Sequence, residues 1–363
     1  MSLIHRVLIG AMAVLSGFAA DGPNVLFIAI DDLRPELGCY GSPQVQTPHI
    51  DRFAAEALRF DRAYCQVPIC MGSRACLMTG ILPTATRFVG ACHVEKDTPG
   101  VATLPEVFRK AGYATVSNGK IFHHTDDTAE RSWSEKPWKP GMSHMQSHDP
   151  ETTRRLSKSK QRGRIFEGPE VADDAYPDGL VARKTIEDLR RFKEQGKPFF
   201  LACGFIRPHL PFYAPKRYWD LYDREKIEIA GNRHRPQGAP KALRGSREFS
   251  SYHLADYEVN SGAWHRMMRH GYYASTSYVD KLTGDVLAEL DQLGLAEETV
   301  VVIWGDHGWH LGEHDFWGKH NTMHLATRVP LIIRVPGKSE CRWGTRLQAG
   351  ACEDAGFPLG ATG

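Results

Sequence analysis

The stretch NVLFIAIDD, residues 24–32, sets an apolar run rich in branched side chains directly against two carboxylates. A short apolar run without helical period reads as a buried strand, and its abrupt acidic end marks where the chain leaves the sheet. TVVVIWGDHG, residues 299–308, repeats the pattern and ends in Asp306 and His307. ATVSNG (114–119), KPFFLACGF (197–205) and PLIIRVPG (330–337) supply further strands.

Helical segments lie between them. Thr47-Pro48 opens a helix through Leu58, with Thr47 as cap and Pro48 at the first helical position. TLPEVFRKAGY (103–113) begins at a Thr cap and stops at Gly112, and a helix from Asp178 to Gln195 stops at Gly196. Val279, Leu282, Val286, Leu290 and Leu293 recur at helical spacing. Strands alternating with helices predict an α/β fold with a mainly parallel sheet covered on both faces, and such sheets bind ligands beyond the carboxyl ends of their strands. One sheet would bring Asp31-Asp32 and Asp306-His307 together across about 275 residues of chain.

Two polar stretches, 125–176 and 225–262, interrupt the alternation and are too long for simple connectors, which predicts insertions near the site or flexible loops. The first carries a basic cluster, Arg154, Arg155, Lys158, Lys160, Arg162 and Arg164, read as a solvated face with contact to an anionic polymer as the alternative.

Composition narrows the class. With 363 residues, 42% hydrophobic and 24% charged, the chain has the makeup of a globular protein, and a net charge of +2 gives no reason to expect a nucleic-acid partner. Residues 1–20, MSLIHRVLIGAMAVLSGFAA, have the basic start, apolar run and small-residue end of a secretory signal peptide. Their apolar run is shorter than the roughly 20 residues of a spanning helix, so the expectation is a secreted or periplasmic protein without stable membrane insertion. The eight cysteines form neither an even disulfide framework nor a CxxC metal site.

Asp31, Asp32, Asp306 and His307 offer three carboxylates and an imidazole, a donor set suited to a hard divalent cation such as calcium or magnesium. Read alone, an Asp-Asp pair after a strand also serves as a loop or helix cap. The stretch VPICMGSRACLMTG (67–80) adds Cys70, four residues before Arg74.

Six motifs occur in order: NVLFIAIDDLRPELGCYG, TPHIDRFAAEALRFDRAYCQVPICMGSRACLMTG, GKIFHH, GFIRPHLPF, YYASTSYVDKLTGDVL and GDHGWHLGEHDFWGKH. Together they resemble the type I sulfatases, within them the iduronate-2-sulfatase-like branch, from about residue 22 to about residue 337. The resemblance implies an alkaline-phosphatase-like sandwich and a sulfuric ester hydrolase acting on a sulfated, glycosaminoglycan-type sugar. It also implies that a formylglycine-generating maturation enzyme oxidises Cys70 to formylglycine. One hydroxyl of the hydrated aldehyde attacks sulfur, and deprotonating the other expels sulfate. Carried over, Asp31, Asp32, Asp306, His307 and the modified Cys70 bind Ca2+, and Arg74 holds the hydrated aldehyde. Lys120 binds sulfate oxygens, His123 is the base, and His209 and Lys319 complete the sulfate pocket and assist the leaving oxygen. Of His93, His124, His310, His314, His320 and His324, the resemblance assigns none firmly; His320 and His324 are placed to reach substrate. Trp133 and Trp138 are candidates to stack on a sugar ring.

Two departures stand out. The family has Pro or Ala where this chain has Gly72, and family members continue past PLIIRVPG into a smaller carboxyl-terminal domain. Residues 338–363 resemble nothing in that family, which gives the expectation of a missing subdomain, a chain truncated or frame-shifted after about residue 337, and exposed apolar surface. Two other readings compete: a phosphate or phosphonate ester hydrolase of the same superfamily, and an inactive sulfate- or glycan-binding relic.

Overall fold

The computed structural model describes residues 22–148, 162–254 and 257–337. The candidate signal peptide, Arg154, Arg155, Lys158, Lys160 and the tail with Cys341 and Cys352 lie outside the described residues.

In chain order the framework is β1 (Asn24–Ile30), α1 (Pro48–Ala55), β2 (Leu58–Arg59), α2 (Cys70–Thr79), α3 (Leu104–Lys110), β3 (Ala114–Gly119), α4 (Pro177–Gln195), β4 (Phe199–Phe205), α5 (Gly262–Gln292), β5 (Thr299–Gly305) and β6 (Leu331–Arg334). Six strands form one sheet in the order β2-β6-β5-β1-β4-β3. The four strands β5, β1, β4 and β3 are parallel; at one edge β6 runs antiparallel to β5, and β2 pairs antiparallel with β6, so β6 alone runs against the other five.

Alternation along β1 splits the core. Leu26, Ile28 and Ile30 pack with Phe53 of α1, Leu189 of α4 and Val286 of α5, whereas Val25, Phe27 and Ala29 pack with Ala75 and Met78 of α2 and Phe108 of α3. Helices therefore cover both faces, as the unbroken apolar strands require. The cover on the α2 face thins toward the antiparallel edge, where Val302, Leu331, Ile333 and Val335 are only partly buried. A third cluster, including Ile165, Phe212, Tyr252, Trp264, Trp309 and Trp317, joins both insertions to the segments that follow β4 and β5.

Helix starts follow partly from sequence and partly from tertiary contacts. Thr103 forms a reciprocal capping box with Glu106 at α3. Thr47 makes no side-chain cap; its hydroxyl accepts from Gly38 N (2.9 Å), and the free N–H groups of His49 and Ile50 donate to Asp280 of α5 at 3.1 and 2.7 Å. A second correction concerns Trp133. It is 3% exposed and packs on Phe122 and Phe200, so it faces the core and no ligand. Trp138 is half-buried, and its backbone pairs with Ser117 and Gly119. The six described cysteines are free thiols.

Candidate functional site

Register decides which residues meet. Ile30 of β1 lies opposite Gly305 of β5 and Phe205 of β4, and Gly119 of β3 lies opposite Gly204. The next residues, Asp31, Asp306 and Lys120, therefore emerge at one level, tied by Asp31 N to Phe205 O (3.2 Å), Asp306 N to Ile30 O (3.2 Å) and Lys120 N to Gly204 O (2.9 Å). Gly119 takes φ +75°, and a Cβ there would stand 2.2 Å from Gly204 O, so only glycine lets Lys120 turn in beside the strand. Asp32 adopts φ 59°, an uncommon conformation for a residue with a side chain.

Cys70 is the first residue of α2, 5% exposed, with its Sγ 3.1 Å from His307 Nε2 and 3.2 Å from Lys319 Nζ. Burial, then the Asp31 carboxylate, push the thiol up to about 12, so at neutral pH it stays protonated. One turn along α2, Arg74 is fully buried: its Nε donates to Asp306 Oδ2 (2.9 Å) and its Nη1 to the carbonyls of Lys120 and Ile121. Its Nη2 is buried with no hydrogen-bond partner, an available donor inside the cluster.

The carboxylates divide. Burial alone would raise Asp31, but Lys120, in direct contact, together with His209 and Arg74 holds it well below the usual carboxylate range. Asp32 is raised by burial even though Lys319 Nζ lies 2.7 Å from its Oδ1. Burial would likewise lower His209; the Asp32 and Glu248 carboxylates outweigh it and lift the imidazole to about 9, so it is protonated at neutral pH. The His123 residue is exposed at the rim, but its ring nitrogens lie against the cluster, where partial loss of solvent and then the Lys120 ammonium lower the imidazole to about 3, so it is neutral at neutral pH.

Asp31, Cys70, Asp306 and His307 each place one ligand atom within 4.8 Å of the others, and Asp31, Asp32, Cys70 and His209 form an overlapping group. Asp31 Oδ1 and Asp32 Oδ2 are buried and accept no hydrogen bond. Orphaned buried carboxylate oxygens beside an imidazole fit a hard divalent cation, which would satisfy them.

All ten candidate residues thus gather at one end of the parallel strands. His124 stacks on His93 (4.2 Å) beside His123. His310 is buried on Asn321, His314 meets Asn232, and His324 packs edge-on to Tyr64, so these three stand apart from the donor cluster. His320 is exposed next to Lys319.

Three supports carried no role in the sequence reading. Glu248, from the second insertion, places Oε1 3.1 Å from His209 Nε2 and Oε2 3.6 Å from Lys319 Nζ. Tyr272 of α5 donates to Asp32 O (2.8 Å) and accepts from Arg34 N (3.0 Å). Glu313 receives Arg34 and Arg269 and binds the loop after β1 to the loop after β5. Tyr272, Arg34 and Glu313 fall inside the motifs YYASTSYVD, DDLRPELG and LGEHD, which were their only trace; Glu248 lies in a stretch with no period at all.

The model of the sulfatase family matches residues 23–346. The chain is 36% identical to iduronate 2-sulfatase of Mus musculus over 339 residues, covering 88% of this chain and 61% of that protein. The human iduronate 2-sulfatase is also 36% identical, over 337 residues, with 88% and 60% covered. The chain therefore spans about 60% of the length of these relatives. Among solved structures, a 2-O GAG sulfatase superposes with a TM-score of 0.63 at 24% identity (87% of this chain, 65% of that one). The phosphonate monoester hydrolase of Agrobacterium radiobacter does so with 0.64 at 23% identity (87% and 69%), which shows a shared fold.

Proposed function

This chain belongs to the sulfatase family, and from that premise we propose that it hydrolyses the sulfate ester of a sugar, with Cys70 as the precursor of the attacking group. The observation that carries the reading is the position of Cys70 Sγ, within 3.2 Å of both His307 and Lys319 and surrounded by Asp31, Asp306 and Arg74. A protonated thiol there is a poor nucleophile. Bound in this site, a divalent cation such as calcium supplies charge neutralisation through Asp31, Asp32, Asp306 and His307, and oxidation of Cys70 to formylglycine supplies hydroxyl chemistry where the thiol stood.

The chain's own residues do the rest. Lys120 and Lys319 bring ammonium donors to the oxygens of a sulfate group, where charge builds as the ester bond breaks. His209 is protonated and within the same pocket, so it can give a proton to the departing sugar oxygen. His123, neutral beside Lys120, is the proposed base by its place in GKIFHH, a role that requires an anion in the pocket to offset the Lys120 charge. Arg74 Nη2 remains free to donate to an oxygen carried at position 70. The similarity to iduronate 2-sulfatase favours a terminal sulfated uronic acid as substrate, with a maturation enzyme and export through residues 1–20 as its companions. Among the described residues no helix is long and apolar enough to cross a membrane.

The test is parallel turnover of an aryl sulfate, the matching aryl phosphate and phosphonate, and a panel of defined sulfated oligosaccharides by protein made alongside a maturation enzyme. Sulfate-selective turnover with release of sulfate from a sugar supports the reading. Preference for the phosphorus esters rejects it, as does activity confined to small aryl sulfates for the sugar assignment.

A further inference from the structure

The part of the second insertion that reaches the site is a short, tightly strapped turn. Asn321 Nδ2 donates to Arg244 O (3.3 Å) and Ser246 N donates to Trp317 O (2.9 Å), which fastens the turn to the hairpin of His310–Leu311 and Trp317–Gly318 that delivers Lys319. The turn then closes on itself, with Glu248 N donating to Ser246 Oγ (3.1 Å) and Ser251 Oγ donating to Glu248 O (2.7 Å). Its backbone fixed in this way, Glu248 directs a carboxylate, 17% exposed, between His209 Nε2 and Lys319 Nζ. The second ring nitrogen, His209 Nδ1, is 2.6 Å from Leu210 O. His209 is thus held at both ends, one of them by Glu248.

This placement calls for an explanation. Asp31, Asp32 and Asp306 belong to the donor cluster, but Glu248 is absent from both groups of converging ligand atoms and meets the cluster through His209 and Lys319. A carboxylate beside the Lys319 ammonium works against binding of an anion there. It also fixes the direction of His209 and Lys319, and that gain is realised when the ester oxygen must meet them in one geometry.

We infer that Glu248 is a positioning residue that aims His209 and Lys319 at the sulfate group and offsets the Lys319 charge, so that the pocket grips the sulfate ion loosely enough to release it. The inference rests on the sulfatase reading above. It assigns the second insertion a part in turnover: its carboxylate trades ground-state affinity for orientation and product release.

The experiment compares wild type, Glu248→Gln and Glu248→Ala as matured protein, each checked for an unchanged melting temperature. Calorimetry with inorganic sulfate reads the charge, and kcat and KM on an aryl sulfate read the orientation. Sulfate should bind about tenfold more tightly to both variants, since a like charge close to the ligand has gone. kcat should fall at least about tenfold in Glu248→Ala and less in Glu248→Gln, which keeps an acceptor for His209. A merely structural role would weaken sulfate binding along with kcat. Sulfate affinity in Glu248→Gln that equals or falls below wild type overturns the inference and leaves the sulfatase reading standing. Wild type that turns over no sulfate ester overturns that reading, and with it the role in turnover, while the sulfate isotherms still decide the effect of the charge.

Discussion

Glu313 is the residue whose loss should be felt at the site without touching it. Its Oε1 receives Arg34 Nη1 at 3.0 Å and Arg269 Nη2 at 2.9 Å, and its Oε2 accepts from Leu311 N at 2.7 Å. Arg34 follows Asp32 by two residues and also donates to Trp309 O (3.1 Å), two residues past His307, so the network clamps the two ligand-bearing loops together. Burial would raise the Glu313 carboxyl, but the two guanidinium groups pull it from its ordinary 4.5 to about 2. At about 1.4 kcal/mol per pH unit this is roughly 3 kcal/mol of stability at neutral pH. Because the folded-state value is the lower one, that contribution is complete above about pH 4.5 and is lost as pH falls toward 2. Glu313→Gln keeps the volume and removes the charge. Breaking a buried pair costs about 3–5 kcal/mol, and Arg34 retains Glu36 as a second partner, so the low end applies. Urea denaturation should therefore show the variant about 3 kcal/mol less stable at pH 7 and less acid-sensitive between pH 5 and 3 than wild type, with a smaller calcium-induced rise in Tm. Equal urea midpoints at pH 7 would refute the reasoning.

Three other substitutions follow from particular contacts. A Cβ at position 72 would sit 2.3 Å from the Phe88 carbonyl oxygen, a backbone atom that cannot rotate away, so Gly72→Ala should cost about 1–3 kcal/mol in denaturant titration, and a neutral result would reject that packing. Trp133→Phe should lower stability by about 1–3 kcal/mol while leaving KM for a sulfated sugar unchanged; a selective rise in KM would restore the sugar-stacking role. Asp306→Asn removes the charge partner of Arg74 and one candidate cation ligand, and should abolish both turnover and the calcium-dependent shift in Tm. Retention of that shift would remove Asp306 from the ligand set.

The strands were legible because both faces of the parallel sheet are buried, which forces apolar runs, and because β1, β3 and β5 end directly at Asp31, Lys120 and Asp306. NVLFIAI and TVVVIWG coincide with β1 and β5, and their acidic ends meet through the register. What the sequence concealed depends on contacts between distant segments. The cap of α1 comes from Asp280, some 230 residues away, so the Thr-Pro pair at its start pointed to the wrong donor. Trp133 was a candidate for sugar stacking because it lies in a polar, aperiodic stretch, yet it packs in the core against Phe200 of β4. Glu248 sits in a segment whose only regularity is its strapping to Trp317, and no spacing announces such a contact. Gly72 is legible as a departure from family pattern, and the close approach of Phe88 supplies its physical reason.

The most direct measurement is the mass of the peptide that bears Cys70, taken from protein made alongside a maturation enzyme and assayed for sulfate ester turnover in the same sample. The account predicts a peptide lighter than the unmodified one, reactive toward hydrazides, with turnover rising in proportion to the converted fraction and absent from Cys70→Ala. An unmodified thiol in protein that hydrolyses sulfate esters, or full conversion with no turnover, would contradict it.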